Sequence, residues 1–400
     1  MHSIQFSSTK GIVLLQAKDR QKLHHMHTVR NTSSIVHLGT SLSSRQRRLW
    51  RDIEGHIFAQ DSNYVPTISV QRKQDEKDFF ILYHAGNPIG RASATVDQRW
   101  MEQKGDKIGF IDDFIIDSSY RHLADTLIQH CLTVLKDKEL EGAIVRSQSF
   151  PALSAQHSDE LPPFGLPCNP PWYIDIFQQN GFVKHKEWAN FRLDLPVTTS
   201  PQAIERWNKC LASLKLESTP LNTRSPREIR EYIDVSYQIF VDHFGYTPMQ
   251  LIDYDSFLKY LLLGPLCRMI KMKIYVLRSN SGKIGGTLSY HPDYNIAVKT
   301  LSSSMGKFNP LALPRFFMSL HKIKRASIGA IGLTEDTRGK GLVRLVDFGL
   351  DLVLRDGYDQ LDTGPVLIEN QVVVKMVNHF CSRYDVSMQH MPYFTLLHTF

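Results

Sequence analysis

Long hydrophobic runs, paired cysteines and metal-ligand clusters are all missing from this 400-residue sequence, and each absence removes a class of protein. The most apolar stretch, Tyr260 to Leu277, is interrupted by Arg268, Lys271 and Lys273, so no membrane span is expected. A short apolar run, Gly11 to Ala17, has no small-residue cleavage site after it, which argues against a signal peptide or an anchor. The five cysteines, Cys131, Cys168, Cys210, Cys267 and Cys381, are scattered, odd in number and never spaced C-x-x-C. That pattern speaks against a disulfide framework and against a zinc site, and it suits a reducing cytoplasm. His24, His25 and His27 have no acidic or cysteine neighbour and read as part of an N-terminal arm. No metal is expected. Neither is nucleic acid, since no recognition motif accompanies the basic charge.

What remains is an ordinary globular composition, 42% hydrophobic and 22% charged, in a chain long enough for two cores. The net charge of +7 points to an anionic partner: a phosphorylated cofactor or an acidic carrier protein would suit it. The densest basic cluster, Arg45, Arg47, Arg48 and Arg51, reads as the solvated face of a helix whose Leu49 and Trp50 turn inward.

The chain repeats itself. Asp78 to Val96 and Lys273 to Tyr290 each read as a β-rich strand, a Gly-containing turn and a second strand opened by Ile-Gly. Each hairpin leads to a further strand, Lys107 to Asp117 or Ala326 to Leu333. An amphipathic helix follows, His122 to Asp137 or Leu342 to Asp356, with apolar residues every three and four positions. Another strand comes next, Glu141 to Gln148 or Tyr358 to Gly364, and each half closes with a helix and a strand. The order β-β-β-α-β-α-β thus occurs twice, an α/β fold with mixed sheets rather than purely parallel ones. The expected divisions are an arm over residues 1–44, a first domain over 45–196, a linker over 197–226 and a second domain over 227–400.

Chemistry concentrates at Gly332 to Val346. A strand ends near Leu333, a polar loop follows, and Arg338-Gly339-Lys340-Gly341 opens a helix at Leu342. Glycines there let the backbone turn tightly, and the free amides of a helix's first turn favour a phosphate. A Walker A loop is absent, and a dinucleotide fingerprint would need Gly where Arg344 stands. On the residues alone, a plain glycine-rich strand-to-helix turn stays open beside the phosphate cradle. The matching place in the first half, Phe110 to Leu127, has no glycine; Asp117, Ser118 and Ser119 there suit a helix cap, and Asp112 and Asp113 would repel a pyrophosphate.

Arg338-Gly339-Lys340-Gly341-Leu342 resembles the R-G-x-G-[IL] pyrophosphate loop of the GNAT (N-acetyltransferase) superfamily, and Asn370 stands where that superfamily often opens its next helix. A group of bacterial tandem-GNAT proteins of similar length is similar over nearly the whole chain. Shared landmarks include Asn63-Tyr64-Val65-Pro66, Asn169-Pro170-Pro171-Trp172-Tyr173 and Pro292-Asp293-Tyr294-Asn295. The resemblance implies two GNAT-like folds in tandem, the first degenerate. It implies an acetyl-CoA or other acyl-CoA site on Ile331, Gly332, Leu333, the Arg338–Leu342 loop and Asn370, with direct transfer to a small amine or amino-acid-like acceptor. An acyl carrier protein is the alternative donor, and a non-catalytic CoA-binding scaffold the alternative role. No residue matches the superfamily's usual acid cleanly. Asp362, Glu369 and Tyr384 are the candidates for acid and base, and Trp172, Tyr246, Tyr290 and His291 for the acceptor pocket. A membrane partner is not expected.

Overall fold

A computed structural model describes residues 13–16, 32–58, 75–147, 150–156, 160–195, 205, 208–209, 211–213, 216–245, 270–299, 310–337 and 342–400. These divide into two compact units. One runs to Glu187 and takes in Tyr393–Phe400, and the other comprises Trp188–Thr300 and Pro310–Pro392.

The first unit opens with strands β1 (Val13–Gln16) and β2 (Ser33–His37) and helix α1 (Ser44–Ile57). Ser43 and Gln46 close the start of α1 reciprocally, each side chain taking the other's backbone amide. Arg45, Arg47, Arg48 and Arg51 lie on its exposed face, while Trp50 is buried against Phe79 and Ile81. Arg91 pins the buried side. Its guanidinium donates to the Trp50 carbonyl and to Glu54, and lies 4.8 Å from the Trp50 ring centre.

Then come β3 (Glu76–His84), β4 (Asn87–Val96), α2 (Gln98–Lys104), β5 (Ile108–Ile116), α3 (Ala124–Asp137), β6 (Gly142–Arg146), β7 (Leu153–Ser154), α4 (Trp172–Gln179) and β8 (Val183–Asp194). Strands β1 to β6 lie side by side in chain order. The pairs from β2 to β5 are antiparallel; β1–β2 and β5–β6 are parallel. Helix α3 buries Leu127, Ile128, Cys131, Leu132 and Leu135 with Phe80, Ile111 and Phe177, the stripe its spacing predicts. Truncating one such leucine to alanine costs about 2–5 kcal/mol.

The rest of the chain comprises β9 (Leu216–Pro220), α5 (Pro226–Phe240), β10 (Lys273–Ser279), β11 (Ile284–Pro292), α6 (Tyr294–Val298), α7 (Leu313–Leu320), β12 (Arg325–Leu333), α8 (Leu342–Arg355), β13 (Gln360–Asp362), β14 (Val366–Leu367), α9 (Gln371–Tyr384) and β15 (Met388–Thr399). Strand β9, within the segment read as a linker, pairs with β10 from Leu216 to Pro220. The sheet then runs β10, β11, β12, β13, all antiparallel except the last pair.

The doubled order of elements read from the sequence is present. The structure adds a strand exchange that sequence reading does not contain. Strand β8 ends the first half, yet its Trp188–Asp194 portion pairs with β13 and β14 in the second unit. Strand β15 ends the second half, yet its last residues pair with β6 and β7 in the first unit. Gly142 permits the latter approach, since a Cβ there would lie 2.5 Å from the His398 carbonyl oxygen.

Candidate functional site

In the second unit, β12 and β13 stay parallel for three pairs only: Arg325 with Gln360, Ala326 with Leu361 and Ser327 with Asp362. Strand β13 then stops, while β12 continues to Leu333 along β11. The register of β11 and β12 slips between Ser289 and Tyr290, which leaves Gly329 as an extra, bulged residue. Gly329 is exposed and Ile328, Ala330 and Ile331 are half-buried, whereas Arg325 to Ser327 are buried. Among the described residues, the β13 edge of β12 has no strand paired to it beyond Ser327, and Gly364 passes close to Ile328 before the strands part.

Helix α5 roofs one face of this edge and α8 the other. A Cβ on Gly332 would meet Ile239 of α5 at 2.4 Å, and one on Gly349 of α8 would meet Leu288 at 3.1 Å. Under α5, the buried Tyr232 turns its hydroxyl toward Ser236, Thr287 and Ser289, and burial pushes its pKa up, so it stays protonated. A Cβ on Gly329 would lie 2.8 Å from Ser289 Oγ. Glycine at the bulge thus leaves room for that buried hydroxyl. Tyr232, Ser289 and Gly329 were not singled out from the sequence, because only the α5–β11 packing and the slipped register bring them together.

Beyond Leu333 the chain makes a 3-10 turn, Glu335–Thr337. The Thr334 amide and the Thr337 hydroxyl both donate to the Gly285 carbonyl, at 3.0 and 2.8 Å, and pin the turn to the β10–β11 hairpin. Arg338, Gly339, Lys340 and Gly341 lie outside the described residues. Leu342 opens α8, and Asn370 caps α9 by accepting the Val373 amide at 3.4 Å.

No family model matches the chain, and no curated protein matches it by sequence. Solved structures do. Over 92% of its length the fold is similar to a GCN5-related glucosamine N-acetyltransferase region of a fungal multi-domain β-N-acetylglucosaminidase, with a TM-score of 0.56 at 12% identity. It is likewise similar, over 92% of its length, to a tandem GNAT protein from the clavulanic acid biosynthesis pathway, with a TM-score of 0.52 at 11% identity. This chain has the tandem GNAT fold. It spans 38% of the fungal protein's chain and 98% of the clavulanic acid pathway protein. Identities this low speak to the fold; the site must carry any statement about chemistry.

Within this GNAT fold the expected residues take different places. Asp362 is fully buried, and its carboxylate accepts from Asn190 and Arg192, both at 2.9 Å, with Arg325 Nε 3.4 Å away. A carboxylate so held suits anchoring of strand ends better than proton transfer. Glu369 is exposed one residue before the α9 cap. Tyr384 ends α9, its side chain outside the described residues. Tyr290, expected in an acceptor pocket, is instead a core residue whose hydroxyl donates to Asp356 at 2.9 Å. His291 is stacked on Tyr294 at 4.7 Å; its Nδ1 donates to the Pro292 carbonyl at 2.8 Å, and burial lowers its pKa and keeps the ring neutral. Trp172 packs on Tyr173 at 4.6 Å within the first unit. Tyr246 lies outside the described residues.

The first GNAT unit treats the same place differently. Strands β5 and β6 part after Asp112 and Arg146, and those residues are the last parallel pair. Arg146 grips both Asp112 oxygens at 2.7 Å and Asp97 at 3.1 Å, and Lys77 reaches Asp113 at 2.8 Å. Burial alone would push the Asp112 carboxyl up, but Arg146 and Lys77 prevail and hold it well below the usual carboxylate range. The following helical turn is capped by Asp117, whose carboxylate accepts the Ser119 amide at 2.8 Å. An ion network holds the parting point, and an acidic side chain already sits at the helix start.

Proposed function

We propose that this protein is an acyl-CoA-dependent N-acyltransferase whose one donor site lies in the second unit, acting on a small amine or amino-acid-like acceptor. The observation that supports this reading best is the parting of β12 from β13 after three pairs, with exposed backbone at the Gly329 bulge. An extended pantetheine arm needs an unpaired strand edge of that kind, and no side chain occupies the bulge itself. When bound, acyl-CoA supplies an activated thioester.

The chain's own residues do the rest. Amides from Arg338 to Leu342 receive the pyrophosphate at the start of α8, helped by its dipole. The backbone of Ile331, Gly332 and Leu333 lines the arm, and an amide there meets the developing oxyanion. Asn370 closes the donor side. Glu369 and Tyr384 are the remaining groups for base and acid, and Asp362 holds the strand ends. His291 and Tyr246 border the acceptor. The first unit, its equivalent site occupied by Arg146 and its partners, is a degenerate copy.

Isothermal titration with acetyl-CoA and longer acyl-CoAs, followed by turnover over an amine panel, tests the reading. Micromolar binding with turnover of an amine supports it. Absence of binding by any acyl-CoA in folded protein overturns it. Binding without turnover would favour a CoA-binding scaffold, which the fully engaged Asp362 carboxylate makes the leading alternative. Turnover only from a loaded acyl carrier protein would favour the carrier-dependent version.

A further inference from the structure

The sequence between Asp293 and Glu335 contains no acidic residue, yet it carries Lys299, Lys307, Arg315, Lys322, Lys324 and Arg325. Helix α7 and the turn before it lie in this acid-free stretch. Leu320 is buried there, and so is Ile323 just beyond. The opposite side faces solvent with Leu311 87% exposed and Met318 60%, while Leu313, two turns before Leu320 on the same face as it, is 39% exposed at the helix start. Of the nine large hydrophobic residues exposed among the described ones, three fall within these eight positions. Exposed single leucines are common, but a concentration on one element is not.

Basic residues interleave with them. Leu311 lies in the 3-10 turn before α7, Arg315 and Met318 are neighbours three positions apart on the helix, and Lys322 follows its end, at spacings of four, three and four. Arg315, His321 and Lys322 are all exposed. These exposed positions offer cations and protruding aliphatic groups, with no exposed amide or carboxylate to pair with a protein partner's polar rim. An anionic lipid surface asks for that chemistry: apolar side chains that enter the headgroup boundary, and cations that meet lipid phosphates.

The position in the fold is consistent. Strand β12 begins at Arg325 and ends at the turn that leads to the phosphate loop, so α7 sits at the sheet end away from that loop. We infer that α7, with the turns at its two ends, docks the second unit on an anionic membrane surface through Leu311, Arg315, Met318 and Lys322. The expectation of no membrane partner rested on the absence of a spanning segment, and a helix lying on the surface needs none.

Co-sedimentation of the full chain with phosphatidylcholine vesicles, with and without phosphatidylglycerol, tests the inference and does not depend on acyl transfer. The expected result is binding to the anionic vesicles alone, reversed by salt. Arg315→Gln with Lys322→Gln should weaken it about 30-fold, and Leu311→Ser with Met318→Ser should weaken it about 10-fold or more. Both double variants alter exposed residues, and an unchanged melting temperature will show that each is folded. Arg45→Gln with Arg48→Gln, on the exposed face of α1, should bind as the parent does. Failure of the parent to bind anionic vesicles would overturn the inference, as would binding lost equally in the α1 variant or unaltered in both α7 variants. An acidic protein as the true partner would show itself by the first of these outcomes.

Discussion

Asp97 and Asp293 occupy the same place in the two halves: each is fully buried, and each caps the short helix that follows the second hairpin strand. Each is matched by a buried arginine, but the arginine comes from a different strand. In the first unit it is Arg146 of β6, bridging Asp97 to Asp112 of β5. In the second it is Arg325 of β12, bridging Asp293 to Asp362 of β13. Acid and base have exchanged strands across the parallel pair while the capping aspartate stayed. Both units thus tie their parting point to the hairpin end by one ion network.

The networks differ in redundancy, and that yields a stability prediction. Arg146 retains both Asp112 oxygens at 2.7 Å if Asp97 loses its charge. The other carboxylate beside Arg325 is that of Asp362, farther off at 3.4 Å and shared with Arg192. Asp293→Asn, which keeps the cap, should therefore cost about 3 kcal/mol, and Asp97→Asn clearly less. Urea unfolding of the two variants measures the difference, and an equal loss would contradict the argument.

Asp362 gives a second, sharper comparison. If its carboxylate were the general base, Asp362→Asn would leave stability intact and abolish turnover. Its partners Asn190, Arg192 and Arg325 lead to the opposite expectation. The variant should lose about 3 kcal/mol of stability, because the buried Arg192 guanidinium loses the carboxylate it bonds at 2.9 Å and Arg325 loses the more distant of its two carboxylates. Denaturation and turnover measured on the same preparation separate the two roles.

The bulge predicts a paired effect. Gly329→Ala places a Cβ 2.8 Å from Ser289 Oγ, at the edge proposed for the donor arm. The variant should fold, since a hydroxyl can rotate away, but acyl-CoA affinity should fall about 10-fold as the added methyl group enters the arm's path. Adding Ser289→Gly removes the clash without clearing the arm's path. It should recover melting temperature and leave affinity low, as calorimetry and thermal melts will show. Recovery of both together would mean that Gly329 matters for packing alone.

The repeated pattern of strands and helices was legible because each element has its own period: β3 and β4 carry β-rich runs around a turn, and α3 and α8 show three-and-four spacing. The strand exchange was not, because the partners of β8 and β15 lie far away in sequence and no local signal names them. The same holds within the site. Gly329 announces itself only through the slipped register with β11, and Asp362 looks like a free carboxylate until Arg192 and Arg325 are placed beside it. Tyr290, an aromatic on a strand, gave no sign of which face it would take. It took the face toward Asp356.

Buried histidines set the pH response. Burial lowers the pKa of His130, with His37 nearby adding to the effect, and burial likewise lowers that of His291. In the unfolded chain both return to about 6.5. A group depressed on folding contributes its stability above the unfolded value and loses it as pH falls through the folded one, because the unfolded chain then binds more protons. Stability should therefore be flat near pH 8 and decline below about pH 6.5. A second decline should follow below about pH 4, where Asp78, held low by the His37 hydrogen bond, and Asp112, held low by Arg146, take up protons. Melting temperatures across this range will show the two steps. Replacing His130 and His291 with glutamine should flatten the upper step and leave the lower one in place, and an upper step of unaltered slope would show that other groups carry it.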